Sequence, residues 1–149
     1  MKRSILAVCV ALSMTSCAHI EALLVEKSPS ASYVAKEISE PDSEVIGKDM
    51  AKFLASQLPA AKTTIYIEPS DSVVHSVLVD DLVEMGFGIL EIRPTQGPAV
   101  ALQYSVTPLG NGVLVRMRYS DRVSSRYYGR LADGSLSTSG KISVREAVK

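Results

Sequence analysis

Few side chains in this sequence have the type and spacing that catalysis needs. His75 is the strongest candidate for a general base, since Asp71 lies four residues earlier and Ser72 and Ser76 lie close by. A catalytic triad needs its acid, base and nucleophile to converge on one pocket, whereas helix neighbours one position apart point away from each other. We therefore expect His75 to be an ordinary histidine on the solvated side of a helix.

Metal and nucleotide chemistry have equally little support. The sequence contains two histidines and two cysteines, too few for the usual zinc sites once Cys9 is removed with the segment described next. Gly140 and Lys141 resemble the end of a phosphate-binding loop, but the upstream glycine is one residue too far away and Ile142 replaces the required serine or threonine. We expect no enzymatic activity, no metal and no cofactor other than a covalent lipid.

The residue that points most clearly to a chemical modification is Cys17. Lys2 and Arg3 are followed by an apolar run over residues 5–12 and by small residues before Cys17, the order found in secretory signals. The apolar run is far shorter than the roughly 20 residues of a transmembrane helix. Residues 1–16 are therefore predicted to be a signal peptide.

The residues Met14-Thr15-Ser16-Cys17 resemble a bacterial lipobox. The resemblance implies that the mature chain begins at Cys17 and carries lipid there, palmitate included. Ala18 follows rather than aspartate, which by the sorting rule for lipoproteins predicts the outer membrane, with the domain facing the periplasm. The alternative is an ordinary secretory signal with a cysteine nearby by chance.

The charge of the chain is unevenly distributed along it. The whole sequence has 16 basic and 16 acidic residues. Residues 17–91 nevertheless carry a net charge of about −8 and residues 92–149 one of about +6, counted from the sequence with neutral histidine. Either an acidic helical layer packs against a basic sheet, which we favour, or two oppositely charged faces meet neighbours in an assembly.

Residues 17–42 are predicted to be the lipidated N-terminus and a flexible tether, because they are rich in serine and alternating charge. About 25 flexible residues have a reach of roughly 25–30 Å, enough to hold a domain clear of the lipid headgroups. Within the tether lies one apolar peptide that is too short to fold alone. We expect this peptide to dock onto a partner. The alternative is a membrane-proximal spacer with no binding role. The residues of the peptide are Ile20, Leu23, Leu24 and Val25.

The first helix is predicted at the start of the globular part, residues 43–149. Asp42 and Ser43 can both accept a hydrogen bond from the first turn of a helix. Apolar side chains then recur at helical spacing until Pro59 interrupts the run.

A second helix is predicted to begin at a cap, Ser70 or Asp71, and to continue to Met85. Its apolar positions form one stripe, which comprises Val74, Val77, Leu78, Leu82 and Met85. Gly86 occupies the position at which a glycine commonly ends a helix.

The remaining segments read as β-strands. They lie at 63–67, 87–92, 100–106, 113–119, 125–131 and 141–145, with a tight turn at Gly110-Asn111-Gly112. Because helices come first and hairpins follow, we expect an α+β fold with two helices packed on one face of a mostly antiparallel sheet of about five strands. A little over 100 residues allows one core in a single small domain.

Arginines alternate with other residues on two of these strands. Arg116 and Arg118 share one face of their strand, and Arg126 and Arg130 alternate in the same way on the next. Such a candidate basic interaction face suits a solvated or ion-paired surface, a protein-docking surface or single-stranded nucleic acid. An outer-membrane location argues against direct contact with nucleic acid, and the other two alternatives stay open.

Four features of the sequence together resemble the TrbH family, the conjugal transfer lipoproteins of plasmid mating-pair-formation systems. These are the lipobox at Cys17 and three blocks, residues 51–63 (AKFLASQLPAAKT), 82–91 (LVEMGFGILE) and 139–146 (SGKISVRE). The blocks contain packing and turn residues rather than an active-site signature.

The resemblance implies a component of a type IV secretion apparatus that transfers DNA between cells. Lipoproteins of this kind anchor and stabilise the envelope-spanning core complex, so the implied partners are its periplasmic and outer-membrane subunits in a ring-shaped hetero-oligomer. The residues by themselves leave open a rival function, that of a free-standing envelope lipoprotein whose domain binds peptidoglycan or another ligand.

Overall fold

The computed structural model describes residues 31–147, in which short strands alternate with two helices before a run of longer strands follows. The elements are β1 (Tyr33–Val34), α1 (Glu40–Gln57), a 3₁₀ helix (Ala60–Lys62), β2 (Thr64–Ile67), α2 (Val73–Glu84), β3 (Gly88–Leu90), β4 (Ala99–Leu109), β5 (Gly112–Tyr119), β6 (Arg122–Tyr128) and β7 (Ser143–Glu146). Within this part of the chain, no helix is both long and apolar enough to cross a membrane.

Helix α1 begins earlier than predicted. Its N-cap is Ser39, whose hydroxyl accepts a hydrogen bond from the backbone N–H of Asp42 at 3.3 Å, so the predicted caps Asp42 and Ser43 are wrong. Pro41 fits into the first turn because its missing N–H has no helical partner there. With β1 also paired in the sheet, the last ten residues of the segment predicted as tether, 17–42, lie in the domain.

Helix α2 is capped by Ser72, whose hydroxyl accepts a hydrogen bond from the backbone N–H of His75 at 3.2 Å. The predicted caps, Ser70 and Asp71, lie just outside the helix. Three residues of capping type stand in a row here, and the apolar periodicity does not choose among them.

The C-terminal end of α2 confirms the predicted role of Gly86. This glycine has a φ of +92°, a conformation that glycine adopts without steric cost. Its N–H donates to the carbonyl of Val83, and the N–H of Phe87 donates to the carbonyl of Leu82. This pair of bonds is the Schellman motif, which satisfies the last carbonyls of the helix.

The strands form one mixed sheet in the order β3-β2-β4-β5-β6-β7, with β1 paired to the far end of β4. The α+β class with two helices agrees with the sequence analysis. The prediction for the sheet was wrong in two respects. The observed sheet has seven strands rather than about five, and three of its strand pairs, β1–β4, β2–β3 and β2–β4, are parallel. Only β4 to β7 form an antiparallel meander.

The parallel pairs follow from the helical connections. The chain passes through α2 between β2 and β3, and a helical crossover returns it to the end from which the first strand started. Two of the three parallel pairs contain a very short strand, since β1 and β3 are two and three residues long. Strands were predicted at 63–67, 87–92 and 100–106, but the direction in which β2 pairs with β3 and β4 depends on residues far apart in the chain, and no local period shows it.

One face of the sheet is buried under both helices. On β4 and β5 the buried side chains alternate with half-exposed ones, and the register sets Leu102, Tyr104 and Val106 opposite Tyr119, Met117 and Val115. The helices contribute further large, fully buried side chains to the same cluster, which are Ile46, Met50 and Leu54 from α1 and Val74, Leu78 and Leu82 from α2. The domain therefore has two layers and a single core.

The two helices approach each other closely at Gly47. A Cβ atom built on this residue would lie 2.9 Å from Cγ1 of Val77 and 3.2 Å from the carbonyl oxygen of Val74. A valine side chain has little rotamer freedom in a helix, so it cannot move aside cheaply. The distance between α1 and α2 thus depends on the absence of a side chain at position 47.

We expect Gly47→Val to lower the free energy of unfolding by about 2 kcal/mol, because it overpacks the contact between the helices. Urea denaturation of the purified chain measures the change. The matched control is Ser76→Val, which adds the same β-branched residue at an exposed position of α2. Equal losses in the two variants would show that the helix contact tolerates a side chain.

Candidate interaction surface

The face of the sheet opposite the core is not covered by either helix. Side chains reach it from the positions that alternate with the buried ones. We call this surface the open face; its strand residues include Tyr33, Tyr66, Gln103, Ser105, Thr107, Leu114, Arg116, Arg118, Val123, Ser125, Tyr127 and Arg145.

The open face is basic and partly aromatic. Arg116 and Arg118 lie side by side on β5, and the strands bring no aspartate or glutamate to this face between residues 31 and 147. Tyr33 is 52% exposed, and the guanidinium of Arg93 lies over the ring of Tyr66, 5.5 Å from its centroid. The surface suits a partner that has both carboxylates and apolar side chains.

Arg126 lies on the other side of the sheet. The register sets it opposite Val115, a core residue, and its Nη1 donates to Oδ2 of Asp49 on α1 at 2.6 Å. The hydroxyl of Tyr128 donates to the same oxygen at 2.6 Å. Burial, together with this hydrogen bond, raises the pKa of Tyr128 far above its ordinary value of 10.0, so the hydroxyl remains a donor. The three side chains join α1 to β6.

Arg130 is held on the same side of the domain. Its Nη2 lies 2.8 Å from Oδ2 of Asp42 and its Nη1 lies 3.3 Å from Oδ1, a two-pronged contact with the first turn of α1. Asp42 is buried, whereas the side chain of Arg130 is 38% exposed. The hydrogen bond from Arg130 lowers the pKa of Asp42 below its ordinary value of 3.8 although burial opposes the shift.

The candidate basic interaction face is therefore divided. Arg116 and Arg118 lie on the open face, whereas Arg126 and Arg130 form ion pairs with the helix layer. Arg116 and Arg118 do share one face of β5, whereas Arg130 lies beyond the end of β6 at Tyr128. The faces of two strands correspond only through their register, and a one-residue offset exchanges them. For Arg126 and Arg130, the structure favours the interpretation in which acidic helices pack against a basic sheet.

Sequence reasoning missed Asp42 and Asp49 as partners of these arginines. A signal was available, since the two acids are seven residues apart and so lie on one side of a helix, two turns from each other. Arg126 and Arg130 are separated by four residues, which places them at a similar distance along an extended chain.

His75 is buried, with 6% of its surface exposed, so the expectation of a solvated histidine was wrong. The reason is that α2 packs against the sheet and α1 over a wider stripe than the apolar pattern indicated. Nε2 lies 3.8 Å from a carboxylate oxygen of Glu91, and the hydroxyl of Ser72 serves as the helix cap. Among residues 31–147, no group of three or more His, Cys, Asp and Glu side chains could hold a metal ion.

The lipidation site and the docking peptide lie outside the described residues. These predictions concern Cys17, Ile20, Leu23, Leu24 and Val25, and they stay predictions.

We expect Asp49→Asn to lower the free energy of unfolding by about 2–3 kcal/mol, since it leaves a guanidinium in a site with little access to solvent. Side-chain exposure there is 13% for Arg126 and 18% for Asp49. Chemical denaturation measures the loss, and Asp80→Asn, at an exposed position on α2, is the control. If the two variants were equally stable, the link between α1 and β6 would contribute nothing measurable.

The lowered pKa of Asp42 predicts part of the acid sensitivity of the domain. The ionised carboxylate stabilises the fold above the ordinary pKa near 4, and the stabilisation is lost as the pH falls through the lower folded pKa. Wild type should therefore exceed Asp42→Asn in stability at pH 6, and the difference should shrink by pH 2. Urea denaturation at several pH values tests this, and a difference independent of pH would contradict it.

Comparison with known protein families supplies the identity of this domain. The family described as conjugal transfer protein TrbH matches residues 25–147, a stretch that includes both helices and all seven strands. No curated protein and no solved structure matches the chain significantly. Since the match covers most of the sequence, the chain belongs to the TrbH family of conjugal transfer proteins.

Proposed function

We propose that this conjugal transfer protein is an outer-membrane lipoprotein that anchors and stabilises the envelope-spanning core complex of the transfer apparatus. Lipid on Cys17 fixes one end of the chain in the membrane. The domain contacts other periplasmic and outer-membrane subunits, in a ring-shaped hetero-oligomer. The role is mechanical and involves no catalysis.

The observation that carries this proposal is the lipobox-like sequence ending in Cys17, joined to a domain of a conjugal transfer family. Cleavage before Cys17 leaves a mature chain with no second cysteine, so its thiol has no partner for an internal disulfide. Several acyl chains hold a protein on a membrane stably, whereas one gives only marginal binding. A lipidated N-terminus therefore suits a subunit that must stay fixed while DNA passes through the apparatus.

The domain is well suited to hold neighbours in place. Its helix layer and its open face carry different charges, with exposed acids such as Glu44 and Asp80 on the helices and arginines such as Arg116 and Arg118 on the sheet. Surfaces of opposite charge favour one orientation of docking over others. Between lipid and domain lies the apolar docking peptide, Ile20, Leu23, Leu24 and Val25.

We expect Cys17→Ser to reduce the amount of the protein retained in the outer-membrane fraction by at least about tenfold, because the acyl chains are lost. The mating frequency and the recovery of other subunits with the tagged protein in mild detergent should fall in parallel. Membrane fractionation, labelling with a palmitate analogue and mating assays measure these effects.

The matched control is Cys9→Ser, which changes the other cysteine, inside the predicted signal peptide, and should leave all three measurements unchanged. Equal membrane retention of Cys17→Ser and wild type would contradict the lipid anchor. A wild-type protein that is recovered alone, and held by cell-wall sacculi, would instead favour a free-standing lipoprotein that binds peptidoglycan.

A further inference from the structure

We propose that Asn111 is a latent deamidation site and that Tyr127 suppresses the reaction there. The assignment goes beyond the proposed function, because it concerns the chemical durability of the hairpin between β4 and β5 and holds whether or not the chain carries lipid. It rests on the dipeptide Asn111-Gly112, on one side-chain hydrogen bond and on the packing of one aromatic ring.

The sequence at this turn is chemically labile. Asn111 is the only asparagine in the chain, and a glycine follows it. In the reaction, the backbone nitrogen of Gly112 bonds to Cγ of Asn111 and gives up its proton, while the bond from Cγ to the side-chain nitrogen breaks and ammonia leaves. Water then hydrolyses the cyclic imide to aspartate or isoaspartate. A glycine favours the first step, because its backbone is the most flexible and no Cβ hinders the attack.

Either product would alter the turn. Aspartate brings a negative charge to position 111, and isoaspartate also adds one carbon atom to the main chain. Leu109 pairs with Gly112 in the antiparallel ladder, so the turn has two central residues. Because the length of such a loop sets the register of its strands, an additional backbone atom would disturb the pairing of β4 with β5.

The structure holds both reacting groups in place, beginning with the nitrogen of Gly112. Gly110 has a φ of +57°, the sign that a two-residue hairpin turn requires at its first central position. Gly112 is buried and belongs to β5, whereas Asn111 is exposed. The nitrogen can therefore leave the ladder only when this end of the hairpin opens.

Tyr127 holds the other reacting group, the side-chain amide of Asn111. Its hydroxyl donates a hydrogen bond to Oδ1 of Asn111 at 2.9 Å, which links the turn to β6. Its ring lies against Gly112, since a Cβ atom built on that glycine would lie 2.6 Å from the hydroxyl oxygen and 2.7 Å from Cζ. The glycine that makes the dipeptide labile thus also leaves room for the ring that covers it.

Two effects of this hydrogen bond have opposite signs. The hydroxyl of Tyr127 draws electrons from the side-chain carbonyl, which by itself makes Cγ easier to attack. It also holds the amide in place, and an intramolecular attack depends on how closely the reacting atoms approach each other. The second effect prevails, because polarisation accelerates the reaction only in molecules in which Cγ has reached the nitrogen of Gly112.

Peptide mass mapping of the purified chain during incubation at mildly alkaline pH tests the proposal, because deamidation changes the mass of the peptide that contains Asn111. We expect the folded wild type to react at least about tenfold more slowly than the same chain unfolded in urea, since it reacts only through local opening. Tyr127→Phe, which keeps the ring, should react about fivefold faster than wild type because it lacks the hydrogen bond. Tyr127→Ala should react faster still.

Two control variants separate this effect from a general loss of stability. Tyr33→Phe removes a hydroxyl from an exposed tyrosine on the same face, and Gly47→Val weakens the distant contact between the helices. Both should react at the rate of the wild type, since neither loosens the end of the hairpin. Equal rates in the folded and unfolded wild type would overturn the proposal. A rate for Tyr127→Phe that equals the wild-type rate or falls below it would do the same.

Discussion

The burial of a single face of the sheet beneath two helices is the constraint on which the rest of this structure depends. Along β4 and β5 the apolar side chains alternate with polar ones, so only one face can be removed from water. Each large side chain buried there contributes about 1.5–3 kcal/mol, which makes this layer the main source of stability. The two helices can cover it together because Gly47 lets them approach closely. Neither helix covers the opposite face.

Ion pairs also help to fix the position of α1 on the sheet. Asp42 and Asp49 project from one side of α1 to Arg130 and Arg126, so the helix is held at two points separated by two turns. Hydrophobic contacts tolerate a small rotation or sliding of a helix, whereas hydrogen-bonded ion pairs require a particular distance and direction between their atoms. The sheet consequently has arginines with two uses, those that orient α1 and those that make the open face basic.

The proposed function depends on how the parts of the chain are arranged. The family match establishes a conjugal transfer protein, and the sequence before the domain suggests how such a protein is attached to the envelope. Among the strands of residues 31–147, β1 pairs with β4 alone, beside the part of β4 that β2 leaves unpaired.

Local patterns in the sequence were sufficient for some features of the protein. The helical spacing before Pro59, the C-cap at Gly86 and the hairpin at Gly110 and Asn111 depend on contacts within a few residues, so the sequence predicts them. The α+β class and the family resemblance follow from the order of such elements. The signal peptide and the lipidation of Cys17 are predicted from the sequence alone and stay predictions.

Other features were decided only by the tertiary structure, because they depend on residues far apart in the chain. The parallel pairing of β1 with β4 brings together Tyr33 and Ser105, which no local pattern connects. The separation of Arg126 from Arg116 depends on the register of β5 and β6, since neither strand alone shows which face the helices cover. The burial of His75 likewise results from packing between layers. Local sequence determined the elements, and long-range pairing decided which side chains share a surface.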